Sequence, residues 1–315
     1  MAQYTFLKIE EIHEILSNYP VGKIISFEPL KEGGLENTNY LVSTLTGKYV
    51  LSVCEQKTSE EAKELAVLLM HLEKNNFKTS IVINTNDSKP VLIWNNKPLM
   101  LKKYIEGKIQ KELSPNLLKL IGYELASLHS ISPPKFLPSK LNYGKEKFSI
   151  VKKYSPNSEF DVWINDILKY MSPYFDLDLP RGLIHSDLFY DNVIISKDQK
   201  SVTIMDLEES ANYYRVFDIG MTFIGICAEK DILNIEKASH ILNGYQQKIK
   251  LSKHERDSLQ AFTVYAGASM TFWRYMNFNF TKPNPKLSNH YLGLKVLTDY
   301  IQSLTYNSFS KIFNK

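Results

Sequence analysis

Cysteine is nearly absent from this chain: Cys54 and Cys227 are the only two in 315 residues. Two thiols cannot staple a chain of this length, so a hydrophobic core must hold it. Both sit in apolar surroundings, which favours buried free thiols over a pair. Long apolar runs are missing as well. Stretches such as LAVLLM stay far short of the ~18 residues that span a bilayer. The N-terminal MAQYTFLKIEEIHEIL carries acids where a signal peptide would carry a basic and then an apolar run. Charge of one sign is scarce: 38 basic against 34 acidic residues leave +4. That surplus suits an anionic small ligand and is too small to argue for nucleic acid. There is no internal repeat and no low-complexity linker. The expectation is a soluble cytoplasmic protein, monomer or homodimer, with no membrane or nucleic-acid partner.

Apolar residues make up 43% of the chain and charged ones 23%, which is enough for a sizeable core. The length suits roughly two domains, or one two-lobed domain, on a prior of about 150 residues each. FLKIEEIHEILSNY places Ile9, Ile12, Ile15 and Leu16 on one helical face. The β-branched and aromatic runs of residues 22–56 break at EGGLENTN and LTGK, turn signals that predict an antiparallel strand pair or trio. SEEAKELAVLLMHLEKNN reads as a strong helix with Ser59 as cap. SIVINT, PVLIW and KPLMLKKYI read as three short strands. After EGK the helical period takes over in SPNLLKLIGYELASLHSI, capped by Ser114 with Pro115 in its first turn. PNSEFDVWINDILKYMSPYF, NIEKASHILNGYQQKI, SKHERDSLQAFTVYAGASMTFWRYMNF and NHYLGLKVLTDYIQSL continue it.

One stretch interrupts the helices: GLIHSDLFYDNVIISKDQKSVTIMDLEE, residues 182–209. Apolar strands precede His185 and follow Asn192, so a loop presents the polar residues between them. Asp206 closes the strand SVTIMD. If the strands around Asn192 and before Asp206 end at one edge, an amide oxygen and a carboxylate converge, with Asp187 as a second carboxylate nearby. Such a hard-oxygen set suits Mg²⁺ with a phosphate. It also supplies what phosphoryl transfer needs: a base for the acceptor hydroxyl and ligands for the metal that bridges the phosphates. HSDLFYDN alone would be an ordinary polar loop with an Asx turn; the ordered set Asp187, Asn192, Asp206, Asp218 is what sets it apart.

GLIHSDLFYDNVII resembles the H-x-D-x-x-x-x-N motif of the protein-kinase-like superfamily, in its aminoglycoside-phosphotransferase branch. Within that branch GGLENTNYLVST, GKYVLSVCE, IGYELASLH and LNGYQQKIKLSKHERDSLQAFTVYAGASMTFW are similar to bacterial homoserine kinases. MDLEESANYYRVFDIG is similar to choline and ethanolamine kinases instead. The resemblance implies an α+β, two-lobed, protein-kinase-like fold. Residues 1–103 would form a small antiparallel-sheet lobe with one main helix, and 104–315 a larger, mostly helical lobe.

It further implies an ATP- and Mg²⁺-dependent kinase acting on a small-molecule alcohol. Asp187 would be the catalytic base, and Asn192 and Asp206 metal ligands. Glu208 would add to the metal site or meet a cationic substrate. His185 and Asp218 would hold the loop. Gly33 and Gly34, with Asn37, Thr38 and Asn39, would form the hairpin over the phosphates, where missing Cβ atoms let backbone N–H groups approach an anion. The backbone of Lys102, Lys103 and Tyr104 would meet adenine.

One departure stands out. The third-strand lysine common to kinase-like proteins is Ser52 here, and Glu64 would be the partner of that absent lysine. Lys48 and Lys57 are the candidate replacements. By that resemblance homoserine leads as acceptor; a homoserine site would need a cation for the carboxylate and an acid for the ammonium, and Arg274 would take the carboxylate. Choline or ethanolamine follows, with aromatics such as Tyr275 around the cation. A nucleotide-binding pseudokinase is the reading Ser52 motivates. With no D-F-G, no A-P-E and no room for an activation segment between Asp206 and Asp218, a protein kinase is disfavoured.

Overall fold

A computed structural model of the chain describes residues 5–30 and 37–314. Its contacts divide it into two compact units: residues 1–107 with Met205–Glu208, and Lys108–Ile204 with Glu209–Lys315. Each is described on its own.

The first unit opens with helix α1 (Ile9–Ser17), followed by strands β1 (Ile24–Pro29), β2 (Asn37–Thr44) and β3 (Gly47–Cys54). Helix α2 (Ser59–Lys74) and strands β4 (Val82–Ile83), β5 (Leu92–Trp94) and β6 (Lys97–Lys103) complete it. All pairings are antiparallel, in the order β1-β2-β3-β6-β4, with β5 also on β6. Strand alternation gives the sheet two different faces. One carries Tyr40, Val42, Leu51, Val53, Leu99 and Leu101, sealed by Ile12, Ile15 and Leu16 of α1. The register puts Asn37, Asn39, Ser52, Cys54, Met100 and Lys102 on the other. Helix α2 is capped by Thr58 rather than by Ser59. The Thr58 hydroxyl accepts from the N–H of Glu61, whose carboxylate accepts the N–H of Thr58 in return.

The second unit is mostly helical. It runs through α3 (Pro115–His129), the single turns α4 (Lys145–Phe148) and α5 (Val151–Tyr154), and α6 (Glu159–Phe175). Strands β7 (Arg181–Ile184), β8 (Val193–Ile195), β9 (Val202–Ile204) and β10 (Ala211–Tyr214) follow. Then come α7 (Arg215–Ile226), β11 (Ala228–Glu229), β12 (Ile232–Leu233), α8 (Ile235–Tyr245), α9 (Lys253–Met276), α10 (Leu292–Ser303) and the short α11 (Tyr306–Phe309). Ser114 caps α3 and Ser158 caps α6, each accepting a first-turn backbone N–H. Helix α8 lies so close on α3 that a Cβ at Gly244 would meet the carbonyl oxygen of Lys119 at 1.9 Å.

Strands β7 and β10 pair, as do β8 and β9. The loop 185–192 therefore springs from β7 and returns into β8. Strand β10 and helix α7 carry no turn signal between them. The fully buried α7, of which every residue from Val216 to Ile226 is inside, shows no polar face to reveal its period. Among the described residues no helix is long and apolar enough to cross a membrane. Cys54 and Cys227 are both free and buried.

Candidate active site

The loop between β7 and β8 is held from behind by one buried carboxylate. Asp218, in the first turn of α7, is inaccessible to solvent. Its Oδ2 accepts the backbone N–H of His185 and its Oδ1 that of Ser186, each at 2.7 Å. His129, at the end of α3, approaches the same Oδ2 through Nε2 at 3.0 Å, and its Nδ1 lies 2.9 Å from the Tyr245 hydroxyl. A buried anion with donors on both oxygens is a well-satisfied group.

Ser186 takes a left-handed backbone, φ +69°, a conformation that costs energy in a residue bearing a Cβ. The surroundings over-determine it. The Tyr143 hydroxyl reaches both the carbonyl and the hydroxyl oxygen of Ser186 at 2.8 Å, and Ser186 Oγ donates to the carbonyl of Glu209. Burial first, then the charges of Glu209 and Asp187, push the Tyr143 phenol well above its usual range, so it stays a donor. Helix α7 supports the far side of the loop. A Cβ at Gly225 would come within 2.5 Å of the Leu188 carbonyl oxygen, so only glycine lets the loop lie that close.

Asp187 follows the strained serine. Its N–H donates to His185 Nδ1 at 3.2 Å, and its carbonyl accepts from the Asn192 side-chain amide at 2.8 Å. The Asn192 tie uses the nitrogen, so the amide oxygen is the end offered to a ligand. Because Val193 pairs with Ile204, Asn192 leads into the end of the ladder from which the chain departs toward Asp206. Asp206 is also left-handed, φ +63°. Carboxylate and amide oxygens are the donors a hard divalent cation takes, in small number, beside phosphate oxygens. By the chemistry of these donors the residues present fit such an ion. Among the described residues no group of three or more His, Cys, Asp or Glu gathers as an all-protein cage would require.

Arg274, in the last turn of α9, belongs to this loop electrostatically. Burial lowers its guanidinium from the usual value, and the charges of Asp187 and Asp191 oppose that. Its Nη1 makes only long contacts, 3.5 Å, to His290. His290 is itself held below its usual value, by burial and then by Arg274. Tyr275, the next residue, stacks on Phe160 at 3.8 Å between ring centres and meets Tyr291 and Phe280 edge-on.

The remaining candidates, like Asp206, lie in the first unit. Gly33 and Gly34 fall outside the described residues. Asn39 Oδ1 accepts from the Ser52 hydroxyl at 2.6 Å. Thr38 is buried on the core side and donates to Glu55, which also pairs with Lys97. Lys102 and Lys103 end β6, and the Tyr104 N–H donates to the carbonyl of Lys48. Glu208 accepts from Asn37 Nδ2 at 2.6 Å and lies 3.1 Å from Lys57. Sequence reasoning did not find Tyr143, Ser186 or Asp191. The motif spacing hinted at Ser186 and Asp191, which lie inside it; Tyr143 had no signal, being one of 19 tyrosines.

The sequence profile described as the phosphotransferase enzyme family, APH, matches residues 27–247. A homoserine kinase of Paramagnetospirillum magneticum is 27% identical over 286 residues, covering 86% of each chain. Among solved structures, an amicoumacin kinase in complex with AMP-PNP and Ca²⁺ superposes with a TM-score of 0.74 at 14% identity, covering 96% of this chain and 97% of that one. A microcompartment-associated aminopropanol kinase gives 0.73 at 15%, covering 97% and 100%. At such identities the structures speak for the fold, a protein-kinase-like one. With most of its length inside the family's profile, the chain belongs to the phosphotransferase enzyme family and is an ATP-dependent kinase of small molecules.

Proposed function

We propose that the chain transfers the γ-phosphoryl group of Mg-ATP to the hydroxyl of homoserine. The observation that carries the choice of acceptor is Arg274. The charges of Asp187 and Asp191 act on its half-buried guanidinium, so the candidate base and a second acid share a field with a cation. A zwitterionic amino acid with a side-chain hydroxyl presents the matching charges: the carboxylate to Arg274, the ammonium to an acid. The homoserine kinase relative, alike over 86% of both chains, supports the same acceptor.

Asp187 orients the acceptor hydroxyl and takes its proton as the bond to the γ-phosphorus forms and that to the bridging oxygen breaks, releasing ADP. Asn192 and Asp206 would each offer an oxygen ligand to a magnesium ion, whose charge would offset that of the phosphates. Asp218, through the N–H groups of His185 and Ser186, fixes the backbone that carries Asp187. His185 supports that backbone by accepting the Asp187 N–H. Asn37 and Asn39 stand on the polar face of the sheet for the nucleotide, and the backbone of Lys102 to Tyr104 for its base.

Ethanolamine and choline form the second reading, favoured by the acid-rich segment 205–209 and by the aminopropanol kinase fold likeness. They lack the carboxylate, so they leave Arg274 unanswered. Incubating the protein with Mg-ATP and either homoserine, ethanolamine, choline or 1-amino-2-propanol, and following ADP release, decides between them. Turnover with homoserine that Arg274→Ala weakens by about 10- to 100-fold in kcat/KM, the worth of one charged hydrogen bond, upholds the assignment. Turnover restricted to the amino alcohols and indifferent to Arg274→Ala overturns it.

A further inference from the structure

Ser52 stands at the third-strand position where a phosphate-binding lysine is expected, and it is not open to a ligand. It is 1% exposed, and its hydroxyl donates to Asn39. Glu64, the helix acid that would steady such a lysine, is exposed on α2. A different pair is tied to Asn37, on the sheet face opposite the core. Lys57, in the turn between β3 and α2, lies 3.1 Å from Glu208, with side-chain exposures of 17% and 12%. Glu208 in turn accepts from Asn37, the first residue of β2. One carboxylate therefore ties together the start of β2, the turn entering α2 and the segment that follows Asp206.

We propose that Lys57 is the cation that binds the phosphate groups of the nucleotide, and that Glu208 positions it. This rests on the reading of the chain as an ATP-dependent kinase and is independent of the acceptor.

Three observations bear on it. First, desolvating an ion pair to this degree costs energy that an exposed pair does not incur, and the pair is tied to Asn37, on the sheet face opposite the core. Second, Lys57 directly precedes Thr58, the cap of the 16-residue α2. The positive end of that helix adds to the ammonium in attracting an anion. Third, the charges reach the neighbouring strand. The Cys54 thiol is pushed up to about 11, by burial first and Glu208 next, while Lys102 and Lys57 pull it down. Lysine is a point charge on a flexible four-carbon stem, so it can bridge Glu208 and a phosphate oxygen. Without the ammonium, Glu208 would repel the phosphates. Lys48 is excluded by its place at the opposite end of β3, where it faces Glu106 and the Tyr104 ring.

The test is calorimetric binding of Mg-ADP and of adenosine to the full chain and its Lys57→Met, Lys57→Arg, Glu208→Gln and Lys102→Met variants. Lys57→Met is expected to weaken ADP by about tenfold or more and to leave adenosine within about twofold. Lys57→Arg should keep most of the ADP affinity, and Glu208→Gln should give a smaller loss with the same ADP-over-adenosine split. Unchanged ADP binding in Lys57→Met overturns the proposal. So does a parallel fall for ADP and adenosine with a lowered unfolding temperature, which marks a structural pair, or a loss confined to Lys102→Met. An unaltered protein that binds no ADP would overturn the kinase reading itself, and the proposal with it.

Discussion

The side-chain amide of Asn192 donates to the backbone carbonyl of Asp187 at 2.8 Å. The residue proposed to hold the metal thus also fixes the backbone of the residue proposed as base, and the five-residue spacing in the sequence is what lets the loop close on itself. Asn192→Ala removes both functions. The expected outcome is a rise of at least about tenfold in the Mg²⁺ concentration for half-maximal rate, with a fall in kcat at saturating metal. Asn192→Asp restores an oxygen ligand but not the N–H donor, so it should recover metal affinity and leave kcat low. Rate against Mg²⁺ concentration for the two variants separates these effects.

Asp218 carries the loop by charge. Replacing it with alanine strands the N–H groups of His185 and Ser186 and a ring N–H of His129, all in the interior. Hydrogen bonds to a charged group contribute about 1.5–3 kcal/mol each, so Asp218→Ala should destabilise the protein by roughly 3 kcal/mol or more and lower kcat as the loop loosens. Chemical denaturation and steady-state kinetics read the two. A variant with unchanged midpoint and rate would show that the loop is held by something else.

Gly225 tests the loop from its other side. Gly225→Ala places a methyl group against the Leu188 carbonyl and the Phe189 backbone, which must move. Overpacking of this kind costs about 1–3 kcal/mol. Because the atoms displaced flank Asp187, kcat should fall more than KM rises. A variant with altered thermal midpoint and native kcat would separate the packing from the chemistry.

Alkaline stability follows from buried acids. Burial raises the phenols of Tyr19, Tyr143, Tyr213 and Tyr245 above their usual range, and those of Tyr170 and Tyr265 to about 12. The Cys54 thiol rises to about 11. A group whose folded pKa is raised stabilises the fold fully below its unfolded pKa and loses that contribution as pH climbs toward the folded value. Stability should therefore decline from about pH 9 upward, with the thiols leading and the phenols following. Urea midpoints from pH 7 to 11, paired with phenolate absorbance, check it. Tyrosines that ionise before the chain unfolds would contradict the burial. The same logic keeps Cys54 protonated and slow toward alkylating reagents at neutral pH.

Much of this was legible in the sequence because the signals were periodic or chemically particular. Ser114 announced its helix by capping. The apolar face Ile9, Ile12, Ile15, Leu16 announced the helix that seals the sheet, although Ile9 stays exposed in the fold. The spacing from Asp187 to Asn192 announced a loop between strands. What stayed hidden lacked local contrast. Helix α7 is buried on every side, so its sequence RVFDIGMTFIGI shows no amphipathic stripe. Tyr143 reaches Ser186 from 43 residues away, a contact set by tertiary packing alone. The tie of Asn37 to Glu208, 171 residues apart, belongs to the same class. Glu208, which by resemblance reads as a further metal or substrate acid, is engaged in the fold with Asn37 and Lys57.

Asp187 is the residue on which the account stands. The most direct measurement is ADP release with saturating Mg-ATP and homoserine, comparing the unaltered chain with Asp187→Asn, with ADP affinity measured alongside. The account predicts turnover in the first, a loss of roughly 10³-fold or more in kcat in the second, as for a group acting in the transition state, and ADP affinity within about twofold of the original. An Asp187→Asn protein that turns over at the native rate would contradict it.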